Sequence, residues 1–133
     1  MSRDGSDVLQ SAIYAALTAE FSEPSIGVFD HIPQSTDYPY VAIGDGSVSD
    51  WGSKDNVGTE QDIQIEIWSR YRGRKQAHLM AGRVYDVLHE QDLTVSGQQC
   101  VLIRFESQER TRDGDGDTYR IALRYRALLA DTA

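Results

Sequence analysis

Residues 119–129 have the sequence YRIALRYRALL, in which apolar and polar side chains alternate over most of the run. Successive side chains of a β-strand point to opposite faces of a sheet, so this alternation predicts a strand with one buried and one hydrated face. The buried face would carry Ile121, Leu123 and Tyr125. The hydrated face would carry three arginines: Arg120, Arg124 and Arg126.

Other segments predict the neighbouring strands of the same sheet. Residues 62–68, DIQIEIW, have isoleucine at every second position, and residues 101–106, VLIRFE, alternate in the same way. Residues 38–44, YPYVAIG, predict a strand that begins at its proline, because the missing N–H costs least at a first strand position. Residues 26–29 and 93–95 are candidates for two short strands.

The sequence DGDGD at residues 113–117 predicts a hairpin turn, because glycine and aspartate tolerate the positive φ angles that such turns need. A turn centred on Asp115 would place Phe105 opposite Tyr125, which is a favourable aromatic pair. The same register implies one favourable and one unfavourable charge pair, which are Glu106 opposite Arg124 and Arg104 opposite Arg126.

Two segments have the apolar period of an amphipathic helix. The first begins at Ser6 or Asp7 and ends by about residue 22, before Pro24. The second follows a basic turn at residues 69–74 and ends near residues 89–90. Each helix has one apolar stripe, so both are expected on one face of a mostly antiparallel sheet. We therefore expect an α+β fold, and the length of 133 residues indicates a single domain over 1–133.

Composition excludes several classes of protein. A formal net charge of −8 argues against a protein whose main task is to hold phosphates with lysine and arginine. Cys100 is the only cysteine, which excludes an intramolecular disulfide and argues against a thiolate metal cluster. The N-terminus has no apolar segment of the signal-peptide type, and no apolar run approaches the roughly 20 residues that span a bilayer. We therefore expect a protein that is made in the cytoplasm and has no membrane partner.

No catalytic, cofactor-binding or metal-binding residues are predicted. The run at 113–117 fails as a calcium-binding EF-hand loop, because Thr118 and Arg124 occupy the positions that need glycine and glutamate. His78 and His89 would lie roughly 16 Å apart along one helix, too far to share a metal, and are expected to be solvated. Common nucleophile and nucleotide-binding motifs do not occur. We expect no enzyme, although side chains distant in sequence could still meet in space.

Residues 44–58 are rich in glycine, serine and aspartate and are predicted to form a mobile loop or hairpin tip. Trp51 could fold back on its own domain or anchor a partner. The basic turn could be solvated, or could contact an acidic protein surface or phosphate. The candidate interface residues are Trp51, Lys54, Arg70, Arg72, Arg74, Arg120, Arg124 and Arg126.

The order of these features resembles the family of small phage tail-completion, or tail-terminator, proteins, which has relatives in prophages and gene transfer agents. The resemblance covers residues 8–129 and depends on four segments taken together. These are IYAAL at 13–17, YPYVAIG at 38–44, IQIEIWS at 63–69 followed by a helix, and YRIALRYR at 119–126.

The resemblance implies a structural protein that forms a ring, usually a hexamer, at the head-proximal end of a tail tube. Such a ring stops tube growth, joins the tube to the head connector protein, and lets DNA pass without specific binding. It would belong to the tail of a virion or phage-like particle that is assembled in a bacterial cytoplasm. The family implies no catalytic residues and no cofactor. The residues alone leave two alternatives open: a small monomeric protein-binding adaptor domain, and an uncharacterised hydrolase.

Overall fold

A computed structural model describes residues 6–30, 36–52, 58–70, 74–91, 93, 95, 97–112 and 117–131. These residues form two helices and five strands. In chain order the elements are α1 (Ser6–Glu20), β1 (Gly27–Phe29), β2 (Tyr40–Asp50), β3 (Gly58–Arg70), α2 (Arg74–Leu88), β4 (Gln98–Arg112) and β5 (Thr118–Asp131). The strands form one sheet in the order β1-β2-β3-β5-β4, and only the pairing of β1 with β2 is parallel.

Both helices lie on one face of the sheet, as the sequence predicts. The isoleucines of β3 that alternate at positions 63, 65 and 67 are buried on this helix-covered face, together with Ile121 and Tyr125 of β5. Gln64, Glu66 and Trp68 point to the opposite, outer face and are only partly buried. The predicted α+β class with two helices on one face of a mostly antiparallel sheet is therefore confirmed.

The helices contribute one buried stripe each to this core. Leu9, Ile13 and Leu17 of α1 are buried. Their counterparts on α2 are Ala77, Met80, Ala81, Val84 and Leu88. The three-, one-, three- and four-residue spacings on α2 place these side chains on one side of the helix. Burial in this core also raises the pKa of the Tyr125 hydroxyl, so that the group stays neutral.

The end of α1 is tied to α2 by Arg83. The Arg83 guanidinium donates hydrogen bonds to both carboxylate oxygens of Glu23, at 2.8 and 2.9 Å, and to the backbone oxygen of Glu20 at 2.7 Å. It also lies 4.4 Å from the ring centroid of Phe21. The hydrogen bonds from Arg83 lower the pKa of Glu23 to about 2.

The register of the β4–β5 hairpin agrees with the predicted register on one side of a bulge and differs from it on the other. Phe105 lies opposite Tyr125, and Arg104 lies opposite Arg126, as predicted. The predicted pair of Glu106 with Arg124 is wrong, because the register shifts between Phe105 and Ser107 and brings Ser107 opposite Arg124. One extra residue on β4 therefore displaces every later pair by one position.

The predicted loop at 44–58 is shorter than expected. Residues 44–50 belong to β2, and Ser47 and Ser49 lie directly opposite Asp62 and Glu60 of β3. Glycine, serine and aspartate are poor strand formers, but a hydrogen-bonded partner strand overrides this weak preference. A register shift between Ile43 and Gly46 accommodates the residues that do not fit the ladder. Residues 53–57 lie outside the described residues, and the predicted mobility of the tip stays a prediction.

Two smaller expectations need correction. Leu93 and Val95 are not in a strand; Val95 packs instead into the core from the connection between α2 and β4. His89 is not a solvated side chain, because its Nδ1 accepts a hydrogen bond from the backbone N–H of Phe105 at 3.0 Å. The predicted turn at 113–117 lies outside the described residues apart from Asp117, which directly precedes β5.

The buried face of β3 gives a direct test of the fold. We expect Ile65→Asp to lower the free energy of unfolding by more than about 3 kcal/mol, because it places an unpaired carboxylate in the core. Gln64→Asp introduces the same side chain one residue earlier, on the outer face and opposite Arg124, and should leave stability nearly unchanged. Urea unfolding of both variants checks this; equal destabilisation would contradict the assigned face.

The clamp between Arg83 and Glu23 predicts a particular pH dependence. The pKa of Glu23 is depressed from 4.5 to about 2, so its contribution to stability is fully present above pH 4.5 and is lost as the pH falls to about 2. We expect Glu23→Gln to unfold at a lower temperature than the wild type near neutral pH and to converge with it through that window. Thermal unfolding followed from pH 7 to pH 2 measures this, and a constant difference across the range would contradict it.

Candidate interaction site

The described residues carry exposed charges and exposed aromatic side chains. No group of three or more histidine, cysteine, aspartate or glutamate side chains within them could hold a metal ion. Neither helix of the described chain is long and apolar enough to cross a membrane. Exposed charges, aromatic side chains and strand edges form the candidate interaction site.

The outer face of the sheet carries a column of arginines on β5 beside a column of acidic residues on β3. Arg120 Nε lies 2.6 Å from Glu66 Oε1, and Arg126 Nε lies 2.8 Å from Glu60 Oε1. Both ion pairs are partly buried, so their chief effect is to hold two long side chains against the sheet.

Arg124 lies between these two ion pairs and differs from them. It is exposed, its neighbours across the ladders are Gln64 and Ser107, and within the described residues it has no acidic partner. The sequence predicts three equivalent interface arginines on this strand. The structure brings all three to one face but leaves Arg124 as the one whose charge is available to a partner.

The basic turn lies at the Arg70 end of the sheet, where β3 passes into α2. The Arg70 guanidinium lies 4.4 Å from the ring centroid of Tyr38, and Arg74 and Lys75 are exposed in the first turn of α2. This first turn has no acidic side chain. The N-terminus of a helix is the positive end of its dipole, which adds to these basic charges. This end of the molecule therefore attracts anionic groups. Arg72 lies outside the described residues.

An aromatic cluster that the sequence analysis does not predict adjoins this basic end on the outer face. Tyr40 stacks on Trp68 with ring centroids 6.3 Å apart, and Tyr38 lies 5.3 Å from Tyr40. The Arg120 guanidinium lies 5.6 Å from the Trp68 ring. A signal was present, since Trp68 occupies an outer-face position in an alternating strand. Its partners became evident only when the register placed Tyr40 directly opposite.

Trp51 lies at the other end of the sheet, where β2 leaves β3. Its backbone N–H donates to the Gly58 oxygen at 3.0 Å, and its ring covers Gly58, where an added Cβ would lie 3.1 Å from Trp51 Cε3. The side chain nevertheless remains 43% exposed. Trp51 therefore folds back on its own hairpin with one side of the ring and presents the rest to solvent. Lys54 lies outside the described residues.

A groove of about 270 Å³ separates the start of α1 from the irregular part of β2. Its apolar lining includes Leu9, Ile13, Ile43 and Val48, and Gln10 and Asp62 lie at its margin. The groove is partly open to solvent, and along it Ser47 Oγ donates a hydrogen bond to Asp62 Oδ2 at 3.1 Å. Residues 46–50 of β2, the first three of which line this groove, are exposed.

A family model and solved structures match this chain over nearly its full length. The sequence pattern of the family described as "Tail completion protein gp17" matches residues 11–130. A chain in the virion of a native gene transfer agent particle is 27% identical, with a TM-score of 0.84 over 97% of this chain and 99% of that chain. The gp17 protein of bacteriophage SPP1 is 19% identical, with a TM-score of 0.51 over 96% and 95% of the two chains, and shares the fold. No curated protein sequence matches this chain.

The position of Trp51 predicts that assembly and stability respond differently to its removal. We expect Trp51→Ala to shift the melting temperature of the isolated chain by no more than about 2–3 °C, because much of the ring is exposed, yet to weaken assembly. Fluorescence of a Trp68→Phe variant isolates the Trp51 signal. Its emission maximum should move to the blue on assembly. A large drop in melting temperature, or an emission maximum already blue-shifted in the isolated chain, would contradict an anchoring role.

Proposed function

Because this chain belongs to the family of tail completion proteins, we propose that it forms a ring that caps the head-proximal end of a phage-like tail tube. Its structural role in tail completion follows from the family. The proposal adds that the ring stops growth of the tube and joins it to the head connector protein. The observation that carries it is the agreement of the whole fold, at a TM-score of 0.84, with a chain of the gene transfer agent virion.

The likeness to that virion chain extends over nearly the full length of both chains. It supports a place in the tail of a virion or phage-like particle. A protein in such a place works through its contacts, and we propose that it has no catalytic activity and no cofactor.

The proposed ring is a homo-oligomer, with six subunits as the expected number. Subunits of a closed ring contact each other head to tail, so each must present two different surfaces to its neighbours and further surfaces to the tube and the connector. We propose that the exposed Arg124, the basic end of the sheet and the Trp51 tip supply contacts of this kind. Of the eight candidates from the sequence, Arg120 and Arg126 are ion-paired within the subunit, and the proposed contact residues are Trp51, Lys54, Arg70, Arg72, Arg74 and Arg124.

Passage of DNA through the ring places a requirement on charge. Double-stranded DNA adheres to surfaces with an excess of lysine and arginine, and the strength of this attraction follows the number of phosphates that are neutralised. The chain has a net charge of −8, and two outer-face arginines are already paired with glutamates. This charge balance supports passage without specific binding.

Tail length provides the decisive experiment. Deleting the gene from the host that produces the particles should give tails of irregular or excessive length with heads left unjoined, because uncapped tubes continue to add subunits. Electron microscopy of the particles measures tail length, and expression of the wild-type chain from a plasmid should restore a uniform length. Normal-length tails on infectious particles from the deletion strain would overturn the proposed function.

A further inference from the structure

Two strand segments at diagonally opposite corners of the sheet have no strand beside them among the described residues. β1 pairs only with residues 40–42 of β2, so the edge of β2 at residues 46–50 has no further strand. β4 is the strand at the other side of the sheet. Side chains in both segments are largely exposed. Open strand edges present unpaired N–H and C=O groups, which makes them templates for pairing with another chain.

The edge of β4 is covered at one place only by the described residues. The C-terminal end of α2 lies against it, where Glu90 N–H donates to the Ile103 oxygen at 2.7 Å and Phe105 N–H donates to His89 Nδ1 at 3.0 Å. This cover ends at the bulge before Ser107. Residues 107–112 continue as regular strand without it.

The backbone groups that point away from the sheet can be identified on each edge. On β2, Trp51 N–H bonds inward to Gly58, so the alternation of an antiparallel ladder directs Val48 and Asp50 outward. On β4, the contacts with α2 show that Ile103 and Phe105 point outward. The extra residue before Ser107 then shifts the outward positions to residues 108, 110 and 112.

The side chains at these outward positions lie on the same face of the sheet. Val48 and Asp50 are opposite Gln61 and Thr59, which share the helix-covered face with Ile63. On β4, residues 108, 110 and 112 are opposite Leu123, Ile121 and Tyr119 of β5, again on the helix-covered face. Directly opposed residues in a ladder have side chains on one face. The two edges can therefore pair without turning the sheet over.

The strand directions also match. Three successive antiparallel pairings separate β2 from β4, so the two strands run in opposite directions. The β4 edge of one copy meets the β2 edge of an equally oriented copy as an antiparallel pair. This is a head-to-tail contact between two different surfaces, the type that closes into a ring.

Charge supports the same pairing. β4 presents Arg110 and Arg112 on the helix-covered side of its edge, and β2 presents Asp50 on the same side. No ion pair within the described residues involves either arginine, and one oxygen of Asp50 accepts only from the nearby Gly52 N–H at 3.2 Å. In the register that places Val48 opposite Arg110, Asp50 lies opposite Gln108 and diagonal to Arg110, within reach of its long side chain, whereas two copies of the β4 edge would bring arginines together.

We propose that residues 107–112 of one copy pair as an antiparallel strand with residues 46–50 of a second copy, so that the sheet continues from subunit to subunit around the ring. The inference rests on the proposed ring and specifies its subunit contact. Because the two segments lie at opposite ends of the sheet, the strands are tilted relative to the ring axis, as closure of a sheet requires.

Cysteine cross-linking tests the contact directly. In a Cys100→Ser background, Val48→Cys and Arg110→Cys are introduced together and separately. A short bis-maleimide is then applied to the purified chain at high concentration and to tails assembled in the host. The double variant should give a ladder of covalent multimers on a denaturing gel. Each single variant should stay monomeric, because position 48 meets position 110 and not another copy of itself. Absence of multimers from the double variant in both preparations, or equal multimers from a single variant, would overturn the proposal.

A backbone substitution separates strand pairing from side-chain contact. Arg110→Pro removes an N–H that points outward, so it breaks no hydrogen bond of the subunit itself and the melting temperature should change little. Cross-linking is then followed between Asp50→Cys and Gln108→Cys, which lie opposite each other in the same register, and Arg110→Pro should abolish this ladder. Arg110→Gln keeps the N–H and serves as the control, and should retain most of the ladder. Equal cross-linking of the proline and glutamine variants would overturn strand pairing.

The two proposals fail separately. Abnormal tails in the deletion strain together with no covalent multimers would leave the capping function standing and remove the strand-pairing contact. Covalent multimers together with normal tails in the deletion strain would leave the contact standing and remove the capping function.

Discussion

The uninterrupted pairing of β3 with β5 is the interaction on which the rest of the structure depends. Thirteen consecutive residue pairs, from Gly58 with Ala130 to Arg70 with Thr118, are formed without a register shift. Because no residue is skipped, every second side chain on both strands faces the helices. Burying each large apolar side chain on that face contributes about 1.5–3 kcal/mol, so a single unbroken ladder supplies most of the surface on which α1 and α2 pack.

The irregularities of the sheet all lie outside this central pair. β2 departs from its ladder between Ile43 and Gly46, and β4 does so on either side of the segment that α2 covers. A bulge in the central pair would turn core side chains outward, whereas a bulge in an outer strand changes only the direction of an edge. The irregularities therefore leave the central pair intact and affect only the outer strands of the sheet.

Some partly exposed side chains make contacts within the subunit, and others are open to solvent. Glu66 and Glu60 hold Arg120 and Arg126, and the aromatic cluster of Tyr40 and Trp68 covers the sheet beside them. Arg124, Arg74, Lys75 and the exposed part of Trp51 remain outside these internal contacts, whereas Arg70 packs on the ring of Tyr38. The side chains that remain open to solvent can therefore change without loss of the contacts that support the sheet.

The sequence by itself determined the class of fold, the two helices, the buried face of β3 and β5, and the family. Each of these depends on the spacing or the order of residue types along the chain, which the sequence contains directly. Only the tertiary structure decided the length of β2, the register beyond Phe105, the ion pairs of Arg120 and Arg126, and the role of His89. These depend on which residues meet across strands. A bulge of one residue is invisible in an alternating pattern, and a partner strand can hold glycine and serine in a ladder that their own preferences would not form.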